Sequence, residues 1–189
     1  LSKLGKKVVV LEKNDKFNHK KILDKRTTAI SEGTKKFLKE INIWNEISNN
    51  AEPIKNIQII DRNQSNKIYF DNIRRNSNLG YIVKNEFILD SLYKKLKKQK
   101  NVEIFNNVSL NDIFYEGNRI ITKQNDFSVN ANILFASDGK NSSIRKKLKT
   151  PIYRKDYKKK AIVINFYHSK NHHNTAYEFF FKNGPLAIL

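Results

Sequence analysis

The sequence has no cysteine, no methionine and only three prolines, and none of its apolar runs approaches the roughly 20 residues that a membrane-spanning helix needs. Without cysteine, the chain has no disulfides, no thiolate metal ligands and no cysteine nucleophile. The N-terminus also lacks the order of charged, apolar and small residues that marks a signal peptide. We therefore expect a soluble, cytoplasmic protein.

Methionine is missing even from position 1, and the sequence ends inside the apolar run 185–189. We expect an internal fragment of a longer protein, inactive by itself. With 189 residues, 39% of them hydrophobic, the chain is still large enough to bury a core.

Acidic residues are scarce, with 18 Asp and Glu against 37 Lys and Arg and a net charge of +19. A basic surface can bind nucleic acid or anionic lipid. Alternatively, the lysines, which are spread over every segment, reflect the A/T-rich codons that Lys shares with the abundant Asn and Ile. No nucleic-acid-binding signature accompanies them, so we predict no nucleic-acid partner. The four histidines lack the spacing with carboxylates that metal sites use, and we predict no metal site.

A continuous apolar run at 8–11 that ends in Glu12 is typical of a parallel strand covered on both faces. The preceding residues 1–5 indicate the end of a helix that closes on Gly5. In dinucleotide-binding folds, an acid at this position accepts hydrogen bonds from a ribose. A solvated carboxylate at a strand end is the alternative for Glu12.

The apolar run 133–135 predicts a buried strand that leads through Asp138 and Gly139 into a helix starting at 141 or 142. Such crossings hold ligands in α/β sheets, because a helix start offers unpaired N–H groups. Asp138 can accept a hydrogen bond from a ligand hydroxyl, and Gly139 lets the backbone come close. A simple chain reversal before a capped helix is the alternative.

Arg26 lies in a polar stretch before a helix, in a chain that otherwise strongly prefers Lys. Its fork of donors suits a phosphate, and a surface salt bridge is the alternative. Asn85 follows a strand at 81–83 and begins another amphipathic helix, where capping alone would account for it.

The first helix is predicted from one apolar stripe: Phe37, Leu38, Ile41, Trp44 and Ile47.

The remaining apolar runs predict antiparallel strands that are interleaved along the sequence with a parallel α/β sheet. Alternating runs at 57–59 and 67–70 indicate an antiparallel insertion. A strand at 102–105 precedes a hairpin at Gly117-Asn118. Runs at 161–166 and 176–181, with a turn at 183–184, predict a second antiparallel sheet.

Five motifs occur in order along the chain: Glu12 at a strand end, D-x-R-T-T-A-I-S at 24–31, I-V-x-N at 82–85, A-S-D-G-x-N-S-x-x-R at 136–145, and H-N-T-A-Y-E at 173–178 followed by G-P-L-A at 184–187. Together they resemble the FAD-dependent aromatic hydroxylases of ubiquinone biosynthesis, flavoprotein monooxygenases with a fold like that of para-hydroxybenzoate hydroxylase. The chain departs from the family at Ala136-Ser137, where Gly-Ala is usual, and at Phe179, where a basic residue is common. The family's Gly-rich phosphate loop and Gly-Asp motif are absent.

The resemblance implies a reaction in which NAD(P)H reduces FAD and one oxygen atom of O₂ is transferred to a phenolic ring. The flavin carries the chemistry, so no catalytic residue is assigned. Glu12 would hold the adenosine ribose, and Arg26 and Asn85 would lie along the flavin and pyrophosphate. The resemblance gives the remaining cofactor-binding residues as Asp138, Gly139 and Arg145, the last of which would brace the turn.

The fold implied is α/β, with a Rossmann-like FAD-binding domain whose first strand is missing, interleaved with an antiparallel β-sheet substrate domain. We expect the FAD-binding part at 1–50 and 80–150 and the substrate-side sheet at 51–79 and 151–189. The expected substrate is a polyprenylated phenol or another aromatic small molecule, which implies peripheral contact with the inner face of a membrane and a ubiquinone-biosynthesis complex. The alternatives are another FAD-dependent aromatic or lipid-linked oxidoreductase and a basic module that binds nucleic acid or membrane.

Overall fold

The computed structural model describes residues 1–13, 25–62, 66–71, 73, 77–110, 112–124 and 127–189. Its strands are β1 Val8–Glu12, β2 Thr27–Ser31, β3 Ala51–Ile54, β4 Asn56–Asp61, β5 Lys67–Asp71, β6 Gly80–Lys84, β7 Val102–Asn106, β8 Asp112–Glu116, β9 Arg119–Gln124, β10 Phe127–Ala131, β11 Thr175–Phe181 and β12 Gly184–Ile188. Its α-helices are α1 Glu32–Glu40, α2 Trp44–Ile47, α3 Asn85–Lys97 and α4 Ser143–Lys147.

The chain divides into two compact units. Unit 1 comprises Leu1–Lys16 and Asn101–Ile162, and unit 2 comprises Phe17–Lys100 and Val163–Leu189. No helix in the described part of the chain is long and apolar enough to cross a membrane.

Unit 1 contains a parallel pair of strands, β1 and β7, in register from Val8 opposite Val102 to Glu12 opposite Asn106. The predicted strands here are confirmed. A single 3-10 turn, Ser2–Leu4, precedes β1 and ends at Gly5, whose φ of 71° is left-handed. Such a glycine closes a helix without steric cost, as the sequence predicts.

A three-stranded antiparallel sheet in the order β10-β9-β8 completes the strands of unit 1. The predicted hairpin is confirmed, with Gly117 at a φ of 56° between β8 and β9. The rings of Phe105 on β7 and Phe127 on β10 lie 4.7 Å apart, which joins the two sheets of this unit by an aromatic contact.

The predicted strand at 133–135 is wrong. The run has no strand structure, and Ile133 and Phe135 are 67% and 63% exposed. A strand forms only where a neighbouring strand accepts and donates its ladder of hydrogen bonds. None of the described strands pairs with this run, so its apolar sequence alone does not make it a strand.

Unit 2 is built around the antiparallel sheet β2-β6-β3. Its main core consists of Ile30, Leu38, Ile43, Trp44, Ile47 and Val83, with Phe87, Ile88 and Leu92 of α3 packed against them. The single helix predicted from the stripe is two helices, because the chain turns at Asn42, which has a φ of 52°. Asn tolerates this left-handed conformation. The break turns Ile43 completely into the core and leaves Phe37 57% exposed.

The second sheet of unit 2 has the order β12-β11-β4-β5. The β4–β5 and β11–β12 pairs are antiparallel as predicted, but β11 pairs in parallel with β4. The two predicted antiparallel pieces therefore form one mixed sheet. The predicted strand at 161–166 is wrong: it has no strand structure and Ile162 is 87% exposed. We expected this run to pair with β11, but one edge of β11 pairs with β4 and the other with β12.

The predicted α/β class is confirmed in its general form, as a mixed α/β architecture with several sheets. The assignment of 1–50 and 80–150 to a cofactor and of 51–79 and 151–189 to a substrate stays a prediction.

Candidate functional site

The start of α3 meets the start of β2 in unit 2 and brings two predicted site residues together. Asn85 is the first residue of α3, and its backbone N–H donates to the carbonyl oxygen of Arg26 at 2.9 Å. The Thr28 hydroxyl donates to Oδ1 of Asn85 at 2.5 Å. We call Arg26, Thr28 and Asn85 the α3 corner.

Asn85 is not the cap of α3, so that prediction is wrong. Lys84 occupies the cap position, and no side chain caps the helix. Because Oδ1 of Asn85 accepts from Thr28, the amide nitrogen with its two N–H donors lies on the other side of the group. Sequence reasoning missed Thr28 as a site residue. Its signal is its place in the motif at 24–31, two residues after Arg26.

The turn at 138–145, in unit 1, directs its polar groups toward α4. Oδ2 of Asp138 accepts from the backbone N–H of Ser143 at 2.6 Å, from the Ser143 hydroxyl at 3.2 Å and from the backbone N–H of Ile144 at 3.2 Å. The Ser142 hydroxyl and these two N–H groups lower the pKa of Asp138 to about 2. The carboxylate thus satisfies the first N–H groups of the helix.

Gly139 and Arg145 complete this turn. Gly139 has a φ of 82°, a conformation in which L side chains are strained, and its carbonyl accepts from the Ser142 N–H at 3.1 Å. The Ser142 hydroxyl caps α4 by accepting from the Arg145 N–H at 3.0 Å. Nη2 of Arg145 donates to the carbonyl of Lys140 at 2.9 Å and braces the turn.

Glu12, also in unit 1, is partly buried at the carboxyl end of β1. Its backbone carbonyl accepts from the Val108 N–H at 3.0 Å, and its Cα lies opposite that of Asn106. Oδ1 of Asn106 is buried and has no hydrogen-bond partner among the described residues. This end of the parallel pair therefore carries a carboxylate and an unsatisfied amide oxygen, both acceptors.

Unit 2 also contains a largely apolar cleft of about 280 Å³ between its two sheets. The lining residues are Ala29, Ile30, Ser31, Ile54, Ile57, Leu79, Gly80, Ala176, Tyr177, Glu178 and Leu189. A Cβ added to Gly80 would lie 2.9 Å from the Ile30 carbonyl oxygen, so only glycine fits this wall without a backbone shift. Sequence reasoning missed this cleft, because residues of five strands from distant parts of the chain, β2, β3, β4, β6 and β11, line it.

A family model described as the FAD binding domain matches residues 1–183. The chain belongs to this FAD-binding family. The match covers nearly all of the sequence and both compact units. The predicted family and its cofactor, FAD, are confirmed.

Relatives of the chain are named as enzymes of ubiquinone biosynthesis. It is 27% identical over 194 residues to "Ubiquinone biosynthesis monooxygenase COQ6, mitochondrial" of Dictyostelium discoideum, covering 87% of this chain and 39% of that protein. It is 23% identical over 167 residues to "Ubiquinone hydroxylase UbiL" of Rhodospirillum rubrum, covering 88% of this chain and 39% of that protein. The chain thus spans about two fifths of the length of these relatives.

Solved structures of similar fold include p-nitrophenol 4-monooxygenase PnpA from Pseudomonas putida, with a TM-score of 0.62, 21% identity and coverage of 78% of this chain and 38% of that one. CtdE, whose structure is a complex with FAD, has a TM-score of 0.53, 17% identity and coverage of 74% and 34%. At these identities the likeness shows the fold alone.

Each unit, taken by itself, carries polar groups of the kind that bind FAD. Acceptors at the end of β1, Glu12 and Asn106, match the donating hydroxyls of a ribose. The guanidinium of Arg26 and the amide N–H groups of Asn85 match the acceptor oxygens of phosphates and of the flavin ring. Oδ2 of Asp138 already accepts from the first N–H groups of α4. Cofactor contacts by Glu12, Arg26, Asn85, Asp138, Gly139 and Arg145 all stay predictions.

Proposed function

We propose that the full-length protein containing this chain is an FAD-dependent monooxygenase that hydroxylates the aromatic ring of a ubiquinone precursor, using NAD(P)H and O₂. The observation that carries the proposal is the family match over residues 1–183, together with relatives named as a ubiquinone biosynthesis monooxygenase and a ubiquinone hydroxylase. The arrangement of acceptors and donors described above supports it.

In this proposal unit 1 supplies a Rossmann-like element. The parallel pairing of β1 with β7 supports that assignment, since parallel strands position ligands at their carboxyl ends. Glu12 lies at such an end and would accept from the adenosine ribose. Arg26 and Asn85 would bind the pyrophosphate and flavin, and Asp138, Gly139 and Arg145 would form a turn against the cofactor.

The cleft of unit 2 is the proposed site of the aromatic ring. Its volume of about 280 Å³ exceeds the roughly 150 Å³ of an apolar cavity that binds benzene. Apolar walls exclude water from the reacting ring. FAD, when bound, supplies the redox chemistry, and the residues of this chain bind, orient and shield the ring.

The proposed substrate is a polyprenylated phenol, which resides in a bilayer, so we place the protein peripherally at the inner face of a membrane within a ubiquinone-biosynthesis complex. The net charge of +19 supports attraction to anionic lipid. We expect the full-length protein to float with anionic vesicles, with recovery falling as salt rises. Equal recovery with neutral and anionic vesicles, unaffected by salt, would remove this part of the proposal.

The activity is tested with purified full-length protein, FAD, NAD(P)H and a phenol that carries a short prenyl chain. We expect the phenol to stimulate NAD(P)H oxidation and isotopically labelled O₂ to leave one labelled oxygen atom in the product. Oxidation of the phenol without label would indicate a different flavin oxidoreductase. A protein that retains no FAD and does not oxidise NAD(P)H would contradict the proposal as a whole.

A further inference from the structure

We propose that Glu178 is a specificity-determining residue that accepts a hydrogen bond from the phenolic hydroxyl of the ring in the unit 2 cleft. The inference rests on the proposed function, which places that ring in the cleft. It adds the side chain that would distinguish a phenol from an aromatic ring without a free hydroxyl.

The strand geometry of β11 directs Glu178 toward the cleft. Side chains alternate along a strand, so Glu178 shares a face with Ala176, which is 4% exposed. Ala176 lies opposite Ile57 of β4, and all three residues line the cleft. Glu178 itself lies opposite Ile59 and Ala187 and is partly buried.

The other residues of the cleft wall with a polar side chain are Ser31 and Tyr177. The Ser31 hydroxyl caps α1, accepting from the Thr34 N–H at 3.2 Å. Tyr177 lies on the opposite face of β11, where its ring stacks on Phe179 at 5.9 Å. Glu178 is therefore the one charged side chain among the described residues that line the cleft.

The carboxylate of Glu178 has no partner among the described residues, since it makes no hydrogen bond or ion pair with any of them. A carboxylate in apolar surroundings loses hydration and gains from any donor that reaches it. A phenol offers one O–H donor beside an apolar ring, which matches one carboxylate in an apolar cleft of about 280 Å³. Hydrogen bonds from hydroxyls to carboxylates are among the strong ones.

A hydrogen bond to Glu178 predicts that the cleft binds a phenol more tightly than the methyl ether of the same phenol. A site that hydrogen-bonds a substrate hydroxyl rejects the analogue lacking it, because the acceptor then stays unpaired. A hydrogen bond to a charged group corresponds to a preference of roughly 10- to 150-fold. We expect the FAD-loaded full-length protein to bind a para-alkyl phenol more tightly than its methyl ether by about this factor.

The test is calorimetric titration of the phenol and its methyl ether, without NAD(P)H, into the wild type, Glu178→Leu and Glu178→Gln. The matched control is Glu103→Gln, which changes an exposed carboxylate of β7. We expect Glu178→Leu to abolish the preference, Glu178→Gln to keep a reduced one, and Glu103→Gln to change nothing. The preference is a ratio within one variant, so a partly unfolded sample does not alter it.

A further variant, Ala29→Phe, separates failure of this inference from failure of the proposed ring site, because it fills the cleft. Loss of both ligands in Ala29→Phe, with an undiminished preference in Glu178→Leu, would overturn the role of Glu178 alone. Unchanged binding of both ligands in Ala29→Phe would show that the ring binds elsewhere and would overturn both.

Discussion

The turn at 138–145 and the α3 corner both arise from polar motifs next to a helix, but they use their side chains differently. In the turn, Oδ2 of Asp138 accepts three hydrogen bonds from Ser143 and Ile144. In the corner, Thr28 holds the oxygen of Asn85, and the donors of the amide lie on the other side. A polar motif can therefore supply acceptors to its own helix start or join the first residue of a helix to a neighbouring strand, and the hydrogen-bond directions distinguish these two arrangements.

The largest effect that separates the two regions is expected in cofactor affinity. We expect Asn85→Ala and Arg26→Ala in the full-length protein to weaken FAD binding by roughly 10- to 150-fold, since each removes a donor to a charged or polar acceptor. Flavin fluorescence measures the dissociation constant. The matched control is Asn45→Ala, an exposed residue of α2, and normal FAD affinity in both corner variants would contradict the assignment.

Glycines extend the comparison to the cleft wall of unit 2, because Gly80 in that wall and Gly139 in the turn are needed for different reasons. Gly80→Ala should lower the free energy of unfolding by about 1–3 kcal/mol, since the new Cβ would lie 2.9 Å from the Ile30 carbonyl. Gly139→Ala should cost about 1–2 kcal/mol through its φ of 82° alone, since nothing lies within 4 Å of its added Cβ. Gly139→Asn, which tolerates that φ, should recover part of the loss, whereas Gly80→Asn should not. Denaturant unfolding measures each variant.

The capping role of Asp138 predicts a stability effect and a pH dependence. Loss of a capping side chain costs about 1 kcal/mol, so Asp138→Ala should lower the thermal midpoint, and Asp138→Asn, which keeps an acceptor, should lower it less. The pKa of Asp138 is about 2 in the folded chain, below its ordinary value of 3.8. Its contribution to stability is therefore complete above pH 3.8 and is lost as the pH falls toward 2.

The difference in stability between the wild type and Asp138→Ala should shrink over that acidic range. Thermal unfolding at several pH values measures it, and a difference independent of pH would contradict the capping role. Weakened FAD binding in Asp138→Asn at neutral pH would demonstrate the predicted cofactor contact.

Thr28 is expected to have the smallest effect, because it acts through Asn85. Thr28→Val should weaken FAD binding by roughly 2- to 12-fold, the range of a neutral hydrogen bond, and Thr28→Ser should restore it. In the Asn85→Ala background, Thr28→Val should add nothing. An additive effect in the double variant would show that Thr28 acts independently of the amide.

The elements predicted correctly are those whose partners are close in sequence or whose local pattern is strong. The run before Glu12, the hairpin at Gly117 and the β4–β5 pair belong to this group. The runs at 133–135 and 161–166 have the same apolar character, yet neither forms a strand. Strand formation depends on a neighbouring edge, which the sequence of the run itself does not specify.

The candidate site shows the same division between residues that a local motif indicates and residues whose contacts depend on distant parts of the chain. The resemblance assigns Arg26 and Asn85 to the same cofactor, and in the structure the backbone N–H of Asn85 donates to the backbone carbonyl of Arg26. The contact of Thr28 was not predicted, because its partner Asn85 is 57 residues away along the chain. The position of Glu178 in a cleft was not predicted either, because the cleft also needs residues of a second sheet. The departure at Phe179 is accompanied by a cation, since the Arg62 guanidinium lies 5.3 Å from the centre of its ring.

The most direct test of the account compares Asn85→Ala with Asp138→Ala in the full-length protein, measuring FAD affinity by flavin fluorescence and the thermal midpoint of the apoprotein. We expect Asn85→Ala to lose affinity by at least roughly tenfold with a nearly unchanged midpoint, and Asp138→Ala to lower the midpoint because the Ser143 and Ile144 N–H groups lose their acceptor. A lowered midpoint with unchanged FAD affinity in Asn85→Ala would contradict it, because the α3 corner would then be a structural contact and not part of the cofactor site.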